Sequence, residues 1–204
     1  MDLLRDPAHV IAIVTFSAVV AGTPGPGNTL LTAVGARAGV RRGLPSLLGQ
    51  AIGMGAMLFA ITLGLGNVLV AHPLALQIMK WGGAAMLCLM AWRIATAGEA
   101  GGAANAPAGF LGMAAFQWVN PKAWLVGVAA IATFLDRRAG GALAQAAVFA
   151  VLFTLVALPS CLPWLAFGAV LQRFLRAPRA RRVLNGAMAA LLAASTILLV
   201  WTGT

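Results

Sequence analysis

Six stretches of this chain run on with almost no charge: residues 9 to 32, 44 to 68, 74 to 96, 111 to 135, 143 to 169 and 184 to 202. Each suits the roughly 20 residues a helix needs to cross about 30 Å of hydrocarbon. Such a pattern constrains the chain to bundled helices in a bilayer. Composition agrees, since 61% of the 204 residues are hydrophobic and 9% charged, against about 25% charged in soluble domains, and the mean hydropathy is +0.93. The expected fold is an all-α integral membrane protein of six transmembrane helices.

A net charge of +10 would point to nucleic acid in a soluble protein. Here the basic residues gather in a few connections instead of along a groove-sized face, so nucleic acid is excluded as a partner. Connections one, three and five hold Arg37, Arg41, Arg42, Arg93, Arg173, Arg176, Arg179, Arg181 and Arg182; the other side holds Arg5, Arg137 and Arg138. The positive-inside rule then puts the odd loops in the cytoplasm and both termini on the periplasmic side. A cleaved signal peptide ending near Ala21 is the rival for the first segment. Its leader "MDLLRDPAH" carries two acids and one base, where a signal wants net positive charge.

Two spans are interrupted. "TPGPGN" at 23 to 28 breaks the first and "WVNPKAW" at 118 to 124 breaks the fourth, both near mid-depth. Loops are expected at 35 to 45, at the small-residue run 96 to 109 and at 172 to 182. The middle one divides the chain into halves of three spans, each opening with a broken span. An odd number of spans turns the second half upside down. The expected organisation is one transmembrane domain, 1–204, of two inverted three-helix repeats, about 9–96 and 111–202, joined by a flexible loop at about 97–109.

Proline removes a backbone donor and glycine permits angles a helix does not use. Unwound backbone facing lipid would leave amides unpaired at several kcal/mol each, so it belongs against protein or a water-filled cavity. A second half-helix starting near Asn28 would aim free amides and its positive dipole end at that cavity, an arrangement suited to a carboxylate. The competing reading is a proline kink that only shapes packing.

Lys122 is the one charge well inside a span, and an ionisable residue there is a functional candidate. No Asp or Glu lies within any span. Lys122 is therefore paired with carbonyls at helix ends, or neutral, or reserved for a substrate carboxylate; snorkelling to the interface is the alternative. The missing acids disfavour a cationic side chain on the substrate. Gln50, Gln117, Asn28, Asn120, Thr23 and Ser160 are further polar candidates, each explained equally by interhelical hydrogen bonding. Pro159 and Pro163 point to a bend in span five. Cys88 and Cys161 lie in different spans, form no CxxC pair and read as packing residues. No HExxH, Walker loop, GxSxG or carboxylate pair is present, which argues against a hydrolase and indicates no metal or cofactor.

"TPGPGNTLL", "LQIMKWGGAAMLCLMAWRIA" and "FQWVNPKAWLVGVAAIATFL", in this order, resemble the lysine-exporter (LysE) superfamily and within it the RhtB-type amino-acid efflux proteins. The resemblance implies a bacterial inner-membrane, proton-driven secondary transporter, acting as a homodimer, that exports small neutral amino acids or close metabolites of the threonine, homoserine, leucine, cysteine or O-acetylserine type. It maps the first motif onto Pro24, Gly25, Pro26 and Asn28, and the second onto Asn120, Pro121 and Lys122. The substrate site is expected at Pro24, Gly25, Pro26, Gly27, Asn28, Gln50, Gln117, Asn120, Pro121 and Lys122. Gly27 stands where the family often has asparagine, which leaves open whether Gly27 or Asn28 faces the site. Met86 replaces a tyrosine common in relatives. The rivals are a membrane redox component, which would need its cysteines, and a metal-ion carrier, disfavoured by the lack of buried thiolate pairs and carboxylates. If Lys122 titrates, substrate and proton compete for it.

Overall fold

The computed structural model describes residues 6–65, 71–96, 109–135, 141–174 and 178–202, and all regular structure among them is helical. Seven α-helices follow one another: α1 Pro7–Gly22, α2 Pro26–Ala60, extended by a π-helical turn Ile61–Leu65, α3 Pro73–Ala95, α4 Gly109–Val119, α5 Pro121–Phe134, α6 Ala142–Phe174 and α7 Pro178–Thr202. Five of the seven begin at a proline, whose missing N–H would have no intrahelical partner there anyway. Asp6 caps α1, its Oδ1 accepting from the Ala8 amide at 2.9 Å.

The chain leaves helical geometry in both motifs that the sequence singles out. Thr23, Pro24 and Gly25 separate α1 from α2, and Asn120 alone separates α4 from α5. The half-helix after the first break starts at Pro26, not near Asn28, because Pro26 is already suited to the first helical position. The segment 35 to 45, expected as a loop, is helical apart from Gly39, which turns with φ 75° and ψ 174°. That left-handed angle is open to glycine, and the arginines around it are good helix formers. Likewise 172 to 182 is helical to Phe174 and again from Pro178. Pro159 and Pro163 sit within an unbroken α6. The proposed flexible loop lies outside the described residues from 97 to 108, as do Asp136, Arg137 and Arg138.

Among the described residues two helical stretches, Pro26–Leu65 and Ala142–Leu171, are long and apolar enough to cross a membrane on length and composition. The first has 40 residues, about 60 Å of helix, twice the hydrocarbon thickness, and Gly39 divides it. The breaks explain why α1, α4 and α5 fall short: each is half of an interrupted stretch.

Large apolar side chains are exposed along the helices. On α6 one face (Phe149, Phe153, Ala157, Cys161, Leu165) is buried while Val151, Leu155 and Phe167 point outward. Leu111 is 78% exposed, Leu74 73% and Trp92 69%. Water would not tolerate so much exposed hydrocarbon on a monomer, and lipid does. α2 lies at the centre, packed along α6 and α4; α1 also packs on α6, and α3 on α7.

Candidate functional site

α1 stops at the first break. Helix ends leave their last carbonyls without intrahelical donors, and here other elements supply them. Lys122 Nζ, from α5, donates to the carbonyls of Val20 at 3.4 Å, Thr23 at 3.2 Å and Pro24 at 3.4 Å. Asn28 Nδ2, from α2, donates to Ala21 at 2.7 Å and Thr23 at 3.0 Å. From α6, Cys161 Sγ reaches the Ala21 carbonyl at 3.4 Å and Trp164 Nε1 the Gly22 carbonyl at 3.0 Å. Val19 accepts from the Thr23 amide, and Gly25 from the Thr29 amide and hydroxyl. Every carbonyl from Val19 to Gly25 thus has a donor.

The amides of the break are not matched in the same way. Pro24 and Pro26 have no N–H, and that of Thr23 is used. The amides of Gly25, Gly27 and Asn28 remain, with no acceptor among the described residues and no side-chain cap on α2. The second break differs. Asn120 Oδ1 accepts from the Lys122 amide at 3.2 Å and caps α5 itself, so only the N-terminus of α2 is left open.

Lys122 takes the first of the alternatives the sequence left: its ammonium sits on carbonyls at the C-terminal, negative end of a helix, where a cation gains about 0.3–1 kcal/mol or more. Gly25 makes room for it, since a Cβ there would lie 3.0 Å from Lys122 Cδ and Nζ.

The question of Gly27 or Asn28 resolves into two separate tasks. Carbonyls can only accept, so the bonds to Ala21 and Thr23 fix which end of the Asn28 amide is nitrogen. Its Oδ1 therefore faces Gln50 and accepts from Gln50 Nε2 at 3.0 Å. Gln50 Nε2 also meets Cys161 Sγ at 3.3 Å, which leaves Gln50 Oε1 buried without a partner. Gly27 lies against that oxygen: a Cβ would sit 2.7 Å from it. Gly27→Ala is therefore expected to push Gln50 off Asn28 and cost about 1–3 kcal/mol, read as a lower melting temperature in detergent.

Between these groups is a cavity of about 60 Å³ accessible to water centres, room for roughly four to six waters. Of the residues that the sequence singles out, Gly25, Gly27, Asn28, Gln50, Gln117, Asn120 and Lys122 line it. Pro24, Pro26 and Pro121 do not. Pro24 is exposed in the break, while Pro26 and Pro121 are buried first residues of α2 and α5; all three shape the backbone and make no wall. Thr23 acts through its carbonyl, and Ser160 bonds back to Val156 at 2.8 Å within α6. Sequence reasoning missed Cys161, which lines the cavity, and the apolar wall of Met54, Val126, Phe153 and Ala157. Only the α6 spacing Phe153, Ala157, Cys161 carried a trace of it.

A membrane-buried helix break with an open amide end, faced by a lysine from a second break, is a transporter's architecture in outline. The family model of the LysE type translocators matches residues 18–203. The chain belongs to this family. Among curated proteins, this LysE type translocator is similar to the cysteine/O-acetylserine efflux proteins of Escherichia coli (strain K12) and Shigella sonnei (strain Ss046), each 30% identical over 172 residues, 83% of this chain and 87% of theirs. No solved structure matches it.

Proposed function

We propose that this protein exports small zwitterionic amino acids or close metabolites across the inner membrane, and that the cavity between the two breaks is its substrate site. The observation that carries this reading is the imbalance at the first break, where all carbonyls are satisfied and three amides are open beside one cation. An anionic group such as a carboxylate suits those amides and the positive end of α2. The named cargo of the relatives, cysteine and O-acetylserine, adds an ammonium and a short uncharged side chain to that carboxylate. No acid lines the cavity, so a cationic side chain would find no counter-charge. The unpartnered Gln50 Oε1 offers an acceptor to an ammonium once Gln50 turns toward it.

Binding then couples to movement through Lys122. Its three contacts, at 3.2–3.4 Å, are longer than the roughly 2.7–2.9 Å of a strong charge-assisted bond. A bound carboxylate competes with the α1 carbonyls for the ammonium and loosens the tie between the breaks. Six spans in two inverted repeats, with both termini periplasmic, provide the frame for alternating access. Exchange of the halves would carry the α1–α6 packing onto α4–α2 and α3–α7 onto itself, and these are the packings observed. Lys122 and Cys161 are the titratable side chains on the cavity wall, and we assign proton coupling to Lys122.

The test is uptake of labelled cysteine and O-acetylserine into proteoliposomes under an imposed pH gradient. Accumulation that collapses with a protonophore supports the reading; no transport of either, or of any small neutral amino acid, contradicts it. The redox alternative requires that Cys88→Ser or Cys161→Ser abolish function. Here both variants are expected to retain transport within about threefold, because serine keeps the donor and acceptor that Cys161 uses, a difference below about 1 kcal/mol.

A further inference from the structure

The cavity is polar at one end and apolar at the other, and helix register gives the order. α2 and α6 run antiparallel, with Gln50 against Cys161 and Thr154 Oγ1 reaching the Ala51 carbonyl at 3.5 Å. Met54 is one turn beyond Gln50 on α2, while Ala157 and Phe153 are one and two turns back from Cys161 on α6. At about 1.5 Å per residue they lie roughly 6 Å to 12 Å along the helices from the polar centre, in the same direction. Ala51, Met54, Ala123, Phe153 and Ala157 belong to one buried apolar cluster, whereas Cys161 packs in another. Behind Phe153 the first cluster continues into Phe149, stacked on Phe134 at 6.1 Å, with Phe16 edge-on to Phe134 at 5.2 Å. The apolar end is a closed floor. Met54 is 6% exposed and Phe153 2%, so neither can withdraw into lipid without repacking.

We infer that Met54 and Phe153 gauge the side chain of the transported amino acid, admitting short or slender uncharged ones and refusing bulky aliphatic or aromatic ones. This rests on the reading above, that the head group is held at the α2 N-terminus. The head group occupies the polar end at Gln50, Asn28 and Lys122, and the side chain points at the floor. The cavity has space for only a few water-sized groups, so slender side chains fit against the floor and bulky apolar ones do not. No residue at the floor can pair a charge.

Competition in proteoliposomes tests this, with labelled cysteine as probe and serine, threonine, leucine and phenylalanine as competitors. Wild type should be inhibited by serine at least about tenfold more strongly than by leucine, since each methylene a pocket cannot hold is worth about tenfold or more. Met54→Ala, which removes the thioether arm, is expected to shift the leucine-to-serine ratio about tenfold toward leucine. Ala157→Val narrows the same space and should weaken threonine relative to serine. If Met54→Ala does not fold, Ala157→Val and the wild-type ratio still decide. Leucine competing as well as serine in wild type, or ratios unmoved in a variant that still takes up cysteine, overturns the gauge alone. A wild type that transports none of these amino acids overturns the functional reading and the gauge together.

Discussion

Lys122→Met is expected to leave a folded protein whose export falls by about tenfold to hundredfold, the range of one lost charge-assisted hydrogen bond. Methionine keeps an unbranched apolar stem of similar reach, so the packing against Gly25 survives. What disappears is the ammonium, and with it the donor to the Val20, Thr23 and Pro24 carbonyls and the cation next to the open amides. Ala21 and Gly22 keep their own donors from Asn28, Cys161 and Trp164, so the break has no reason to collapse. Export by growth-inhibition assay and yield of monodisperse protein in detergent separate the two effects. A Lys122→Met variant that exports against a gradient at the wild-type rate would remove Lys122 from the mechanism.

Asn28→Ala should be worse for the fold. Its amide makes three hydrogen bonds: two donated to the end of α1 and one, buried, accepted from Gln50. Their loss leaves the Gln50 amide nitrogen with only its contact to Cys161 Sγ. At about 0.5–1.5 kcal/mol net for each of the three hydrogen bonds lost, a loss of about 2–4 kcal/mol is expected, visible as reduced thermal stability and loss of transport. Asn28→Asp discriminates further. It keeps the shape but turns a donor into an anionic oxygen facing two carbonyls, so it should be no milder than alanine. If Asn28→Asp transports normally, the orientation assigned to the Asn28 amide is wrong.

The sequence carried the breaks because proline, glycine and asparagine in an apolar run have few other uses. It carried the candidate status of Lys122 because a charge at that depth demands a partner, but not which partner, since backbone carbonyls leave no mark in sequence. The segment 35 to 45 reads as a loop in the sequence for a related reason. Charge marks where a chain meets water, and arginine-rich helix meets water as readily as a loop does; only Gly39 leaves the helix. The polar lining was largely legible, because Gln50, Gln117 and Asn120 are conspicuous among apolar neighbours. The role of the prolines was not, since a residue that shapes backbone and a residue that lines a wall look alike in one dimension. Cys161 and Phe153 left only their one-turn spacing with Ala157 as a trace, being ordinary in an apolar helix until α6 is laid antiparallel on α2.

The division of labour at the first break has a consequence for evolution of the site within this family. Gly27 and Asn28 serve different masters, one yielding space to Gln50 and the other tying α2 to α1. A side chain at position 27 therefore requires a shorter residue at position 50, and a Gly27→Asn variant should regain stability when paired with Gln50→Ala.

The central claim is that a carboxylate is held by the open amides at the start of α2 with Lys122 beside them. The most direct measurement is equilibrium binding of labelled cysteine to purified protein, competed by unlabelled cysteine, by cysteamine, which lacks the carboxylate, and by 3-mercaptopropionate, which keeps it. The account predicts that cysteamine fails to compete at concentrations where cysteine and, more weakly, 3-mercaptopropionate do; cysteamine competing as well as cysteine would contradict it.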